Sequence, residues 1–147
     1  MKLINTEIRI KSSPKYVWEI LTNFDDYQNW NPFISNIKGR AIINANLEIS
    51  IRTPSGKNRL YHPTITKFEP FRELRWKGKS MLPFMFDGER IFLLEDDQGE
   101  VNFIHKEIFS GFGTLFVGKK FESDLRNKFN QMNNALKEKI ESEEHVI

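Results

Sequence analysis

His105 and Glu107 stand two residues apart in the stretch from Val101 to Phe109. In an extended strand that spacing puts both side chains on one face, with Cα atoms roughly 7 Å apart. A histidine near a carboxylate can act as a general base or polarise a ligand carbonyl. The same two groups can instead bond to each other, to Arg90 or to water, with no ligand involved. Arg90, in the segment Gly88-Glu89-Arg90-Ile91-Phe92, allows a structural ion pair with Glu107 or capture of an anionic head group through its planar fork. The ion pair is the favoured reading. All of this assumes an inward face, since a slip of one residue in register would expose both groups.

Other chemistries are poorly served. The chain has no Cys, which excludes thiol catalysis, disulfides and Cys-ligated zinc. The three histidines, His62, His105 and His145, are too scattered for a metal site, so neither metal nor cofactor is expected. Gly111-Phe112-Gly113 lacks the spacing and the Lys of a phosphate loop and reads as a chain reversal.

Aromatic side chains are the abundant resource, with 13 Phe, 3 Trp and 3 Tyr. Trp30, Tyr61, Trp76, Phe92, Phe103 and Phe109 join Arg90, His105 and Glu107 as the candidate lining of an apolar pocket. Most aromatics in any domain are simply core, and Trp18 reads as packing. The run from Met81 to Phe86 is unusually apolar for a connection. It reads as a lid or a sticky patch for a protein partner, or as the end-cap of the core.

The elements that must position these groups follow from periodicity. Ile4, Thr6, Ile8 and Ile10 alternate with polar residues, which predicts a half-buried strand. Ser13-Pro14 predicts a helix start, and Val17, Trp18, Ile20 and Leu21 form its apolar face. Asp25 to Trp30 predicts a second short helical turn, closed by Asn31-Pro32. From Phe33 to Ser110 the period is mostly two. Strands are expected near 35–42, 47–51, 61–65, 73–77, 91–95 and 101–109, making seven with the first. Pro63 marks an edge or a bulge, and Asp96-Asp97-Gln98-Gly99 a hairpin turn. Short connections imply an antiparallel meander. Phe121, Leu125, Phe129, Met132, Leu136 and Ile140 then recur at helical spacing. They predict a helix of about 24 residues, roughly 36 Å long, with 141–147 as a frayed tail. Its stripe needs an apolar partner, and only the inner sheet face is large enough. The expectation is an α+β domain in which a curved sheet grips a helix, with a gap between them suited to a small molecule.

Length and charge agree. At 147 residues one domain is expected over the whole chain, with a core at about 2–141. The net charge of +2 comes from 22 basic and 20 acidic residues, too little for a nucleic-acid surface. The charged residues between Lys67 and Lys79 fall opposite the aromatic ones, which also argues against RNA. There is neither a signal-peptide pattern nor an apolar run long enough to span a membrane. A soluble, cytoplasmic protein is the expectation.

The order strand, two short helices, six strands, long helix is similar to the START-like or Bet v 1-like helix-grip superfamily. The stretch from Ser13 to Thr22, followed by Trp30-Asn31-Pro32-Phe33, resembles the opening of bacterial polyketide cyclase/dehydrase-type (SRPBCC) domains. So do Phe68-Glu69-Pro70 before Glu73-Leu74-Arg75-Trp76, and Glu107-Ile108-Phe109-Ser110-Gly111. The resemblance implies a seven-stranded curved antiparallel sheet wrapped round the last helix. It does not imply one activity, because such folds serve cyclases, lipid carriers, receptors and co-chaperone-like domains. Arg90 stands where many relatives carry His, which weakens the transfer of a family acid/base residue. Binding of a small apolar molecule (a lipid, polyketide or aromatic compound) is the preferred expectation. An enzyme of cyclase, dehydratase or hydrolase type using His105, Glu107 and Arg90 is the second, and a protein-interaction module the third.

Overall fold

A computed structural model describes residues 2–53, 56–79, 87–111 and 118–144. The run Met81 to Phe86, the reversal beyond Gly111 and His145 lie outside the described residues. The first strand, β1 (Lys2–Ile10), leads to α1 (Pro14–Thr22). Ser13 caps that helix by accepting from the backbone N–H of Tyr16 at 3.2 Å, and Pro14 occupies its first turn. A 3₁₀ turn at Phe24–Asp26 and the short α2 (Tyr27–Trp30) follow. Six antiparallel elements were expected next, and seven are found. They are β2 (Ile34–Lys38), β3 (Glu48–Arg52), β4 (Asn58–Tyr61), β5 (Thr64–Glu69), β6 (Glu73–Lys79), β7 (Asp87–Asp97) and β8 (Glu100–Ser110). The chain ends in α3 (Lys119–Glu144).

The additional strand has a local cause. The expected strand at 61–65 is broken at Pro63, which has no N–H to give to a ladder. Residues before it pair in a three-stranded sheet, β2-β3-β4, and residues after it in a five-stranded sheet, β1-β8-β7-β6-β5. Pro63 itself is buried, and Gly78 of β6 passes so close that a Cβ there would lie 3.0 Å from its Cα. The architecture is the helix-grip arrangement with eight described strands instead of seven.

The β7–β8 hairpin turns through Gln98 and Gly99, both at positive φ, the conformation that tight hairpins require. Leu125, Phe129, Met132, Leu136 and Ile140 of α3 are all buried in the main core. The helix outruns its apolar stripe, and residues 141–144 are helical, which corrects the expectation of a frayed tail from 141. Ion pairs hold this last turn, Lys137–Glu141 at 2.7 Å and Lys139–Glu143 at 2.6 Å. The Tyr16 hydroxyl donates to Glu143 and the Lys11 backbone N–H to Glu141. No helix among the described residues is long and apolar enough to cross a membrane.

Candidate functional site

Cross-strand register assembles the site in two adjacent rows on the face covered by α3. One row runs Ile4, Glu107, Arg90, Trp76, Ile65, and the next runs Thr6, His105, Phe92, Leu74. Alternation along β7 and β8 turns all of these side chains inward, and every one is buried. Arg90 is directly opposite Glu107 and diagonal to His105, within reach of both.

Arg90 is the hub. Its Nε and Nη2 donate to one oxygen of Glu107, Oε2, at 3.1 and 3.0 Å, and its Nη1 faces His105 Nε2 at 3.4 Å. The guanidinium lies 4.6 Å from the Phe129 ring centre and 5.3 Å from that of Phe33, positions that add cation–π attraction. His105 and Glu107 do not bond to each other, because Arg90 stands between them.

His105 is locked in place. Its ring stacks on Phe129 at 4.2 Å with planes 4° apart, and Phe92 flanks it at 4.7 Å. Asn133 gives its Nδ2 hydrogen to Thr6 Oγ1 at 2.9 Å, and that hydroxyl donates to the His105 carbonyl at 2.7 Å. The Asn133 oxygen is thereby left to accept from His105 Nδ1 at 2.9 Å. The imidazole therefore carries its proton on Nδ1 and turns the Nε2 lone pair toward Arg90. Burial first, and the Arg90 charge second, push its pKa well below the usual histidine value.

This arrangement has a pH signature. Folded His105 stays neutral while the unfolded chain binds a proton below about pH 6.5, so the unfolded state gains as the solution is acidified. Stability should be fully present above pH 6.5 and fall by about 1.4 kcal/mol per pH unit below it, until the depressed folded pKa is reached. Denaturant unfolding at pH 7.5, 6.5 and 5.5 measures the slope, and His105→Gln should flatten it.

Glu107 uses only Oε2 on Arg90. Its Oε1 lies over Gly88, where a Cβ would approach within 2.7 Å, and its side chain keeps 11% of its surface open. Tyr61 is half-buried, and its hydroxyl accepts from Trp76 Nε1 at 3.0 Å, leaving its own hydrogen to give. Burial pushes the Tyr61 pKa up to about 12, so the phenol remains protonated. Trp76 reaches Phe92 edge-on at 5.2 Å, and Phe92 stacks on Phe103 at 5.9 Å. Phe109 borders Gly88 at the same end. Of the nine residues singled out from sequence, Trp30 stands apart, packed on Tyr27 at 5.1 Å and lining a surface pocket with Asn31, Ser35 and Arg52.

Four participants escaped the sequence reading. Thr6 was legible as inward-facing but not as a relay, and Gly88 carried no signal. Phe129 was visible only as one apolar residue of the helix stripe. Asn133 lies outside the apolar stripe of α3, yet it is 1% exposed. Its position four residues after Phe129 was the available clue, since such pairs share a helix face. Among the described residues no group of His, Asp and Glu could hold a metal ion.

A family model described as polyketide cyclase / dehydrase and lipid transport matches residues 1–141. A START superfamily protein from Mycobacterium smegmatis superposes with a TM-score of 0.75 at 13% identity, over 95% of this chain and 97% of that one. The Zhui aromatase/cyclase of a Streptomyces species gives 0.74 at 11% identity, over 95% and 93%. The Aha1 dimer structure from Colwellia psychrerythraea gives 0.65 at 22% identity, over 93% and 97%. No curated protein sequence matches the chain.

Proposed function

The chain belongs to the polyketide cyclase / dehydrase and lipid transport family, and from that premise we propose that it binds a small, largely apolar molecule between the sheet and α3. The observation that carries this reading is a pair of polar atoms, at the edge of an aromatic cluster, with hydrogen-bonding capacity left among the described residues. Glu107 Oε1 can accept, and the Tyr61 hydroxyl can donate. Trp76, Phe92 and Phe103 form the buried apolar cluster beside them. A ligand with one hydroxyl or carbonyl on a hydrophobic body suits that set.

Turnover at His105 is the weaker reading. Both ring nitrogens are engaged by protein, the residue is 0% exposed, and its low basicity disfavours proton capture. His105 is better described as a positioning group for Arg90 and Glu107.

Mass spectrometry under non-denaturing conditions, before and after solvent extraction, tests the proposal. A stoichiometric extra mass that leaves with the solvent is expected. Tyr61→Phe should weaken its retention about three- to tenfold, the worth of one hydrogen bond. Bare protein in both spectra, with no saturable quenching of Trp76 by 1-naphthol, would sink it.

A further inference from the structure

We propose that the lobe built from β2, β3 and β4 docks on an anionic lipid bilayer. This inference does not rest on the ligand reading above, and it concerns the outer face of the three-stranded sheet. Register defines that face, since Lys38 pairs with Glu48, Asn36 and Leu60 flank Ser50, and Arg52 pairs with Asn58. The alternate residues Ile37, Ile49 and Ile51 are buried in the core, so this set points away from it. Leu60 is therefore turned outward and is 59% exposed. Tyr61, its neighbour on the strand, turns the other way and meets Trp76.

The connection from β2 to β3 carries two more aliphatic side chains into water. Ile42 is 44% exposed and Ile43 50%. Their loop is held in shape. The Ile42 N–H donates to the Arg40 carbonyl at 2.9 Å, and Asn44 takes a positive φ. Beyond the tip, the Asn44 N–H donates to the Ile65 carbonyl and the Ile65 N–H to the Ala45 carbonyl, both at 2.9 Å.

Charge identifies the occupant. Between residues 34 and 61 the basic residues are Lys38, Arg40, Arg52, Lys57 and Arg59, and the one acidic residue is Glu48. That lobe is net +4 in a chain whose total is +2, so the remainder is net negative. All five cations are exposed. Glu48 pairs with Lys38 at 3.4 Å, whereas cations elsewhere are matched more fully, Arg9 by Asp97 and Glu100 and Lys137 by Glu141. A cation also precedes the exposed aliphatics closely, Arg40 before Ile42 and Arg59 before Leu60. Cations beside protruding aliphatic groups suit a surface with anionic head groups over hydrocarbon. Nucleic acid would favour exposed aromatic rings on which bases stack, and a protein partner would favour Trp and Tyr anchors. The three prominent side chains here are Ile42, Ile43 and Leu60.

Sedimentation with sucrose-loaded vesicles tests the proposal. The protein should pellet with vesicles of phosphatidylcholine and phosphatidylglycerol in equal parts, stay in solution with phosphatidylcholine alone, and be released by added salt. Arg40→Gln and Arg59→Gln should each weaken partition about fivefold at low ionic strength. Ile43→Ser and Leu60→Ser should each weaken it about three- to tenfold. Leu3→Ser, which removes an exposed aliphatic side chain from the other sheet, should leave it unchanged. All five positions are exposed, so urea midpoints close to the parent's should show that the variants are folded. Failure to pellet, or equal pelleting with neutral vesicles, rejects the proposal. So does an effect of Leu3→Ser as large as that of Leu60→Ser, or binding that ignores both Ile43→Ser and Leu60→Ser. Displacement from the vesicles by a single-stranded oligouridylate at lower concentration than the lipid reassigns the lobe to nucleic acid and rejects it too. The assay involves no cavity ligand, so its failure is distinguishable from failure of the binding reading at Tyr61.

Discussion

Arg90→Leu should lower the unfolding free energy by about 3–5 kcal/mol, the usual consequence of removing one partner from a buried ion pair. Arg90 is 2% exposed and Glu107 8%, so the abandoned carboxylate could not recover its hydration without opening the sheet. The loss has two further parts. His105 Nε2 would face no donor, and the faces of Phe33 and Phe129 would lose their cation. Arg90→Lys should recover only part of the stability, since an ammonium keeps the charge but not the planar fork. Arg90→Leu combined with Glu107→Leu should recover most of it, because a matched apolar pair leaves no uncompensated charge. Urea denaturation of the four proteins decides the matter. A double variant no better than the single one would mean that the cost lies in packing, not in charge.

Phe129→Ala should cost a similar amount, about 3–5 kcal/mol, for a different reason. Phe129 is 0% exposed and central to the stripe of α3, where its ring meets His105, Phe33 and Arg90. Truncation leaves a void beneath groups that hydrogen bonds hold in place, so the site cannot collapse to fill it. The two substitutions share contacts and should not add. Arg90→Leu with Phe129→Ala should show a coupling of about 0.5–3 kcal/mol, measurable in a double-mutant cycle. Strict additivity would show that the ring and the guanidinium act independently.

The legible part of this molecule is the part governed by period. Alternation in β1, β6 and β8 and the stripe on α3 announced which faces would meet, and Ser13, Pro14 and the Gln98-Gly99 turn marked where elements start and reverse. Pro63 was legible as a disturbance but not as a crossing between sheets, because the consequence of a missing N–H depends on where the chain goes next. Charge chemistry was half legible. The candidate ion pair of Arg90 and Glu107 followed from residue types, whereas its link to His105 depends on a strand register that no single segment contains. Asn133 was hidden for a similar reason. A polar residue on an amphipathic helix is read as outward-facing unless a buried acceptor or donor is known to await it, and here the partners are Thr6 and His105. Trp30 and Asn31 were noticed as text shared with a family, while the burial of their side-chain nitrogens without a partner among the described residues is a fact of three-dimensional packing.

The pairing of β1 with β8, reinforced by α3, also sets a schedule for folding. Lys2 lies opposite Phe109, Asn133 bonds to Thr6, and Lys137 bonds to the carbonyl of Arg9. The opening strand thus finds its neighbours only after more than a hundred residues have been made. Contacts so distant along the chain slow folding, because a large loop must close before they repay its entropy. During synthesis β1 emerges with a bare edge and an apolar face, the kind of segment that invites wrong pairings. Its outward positions Asn5, Glu7 and Arg9, and Lys11 just beyond it, are exposed polar residues, and they keep that waiting strand in solution until the last helix arrives.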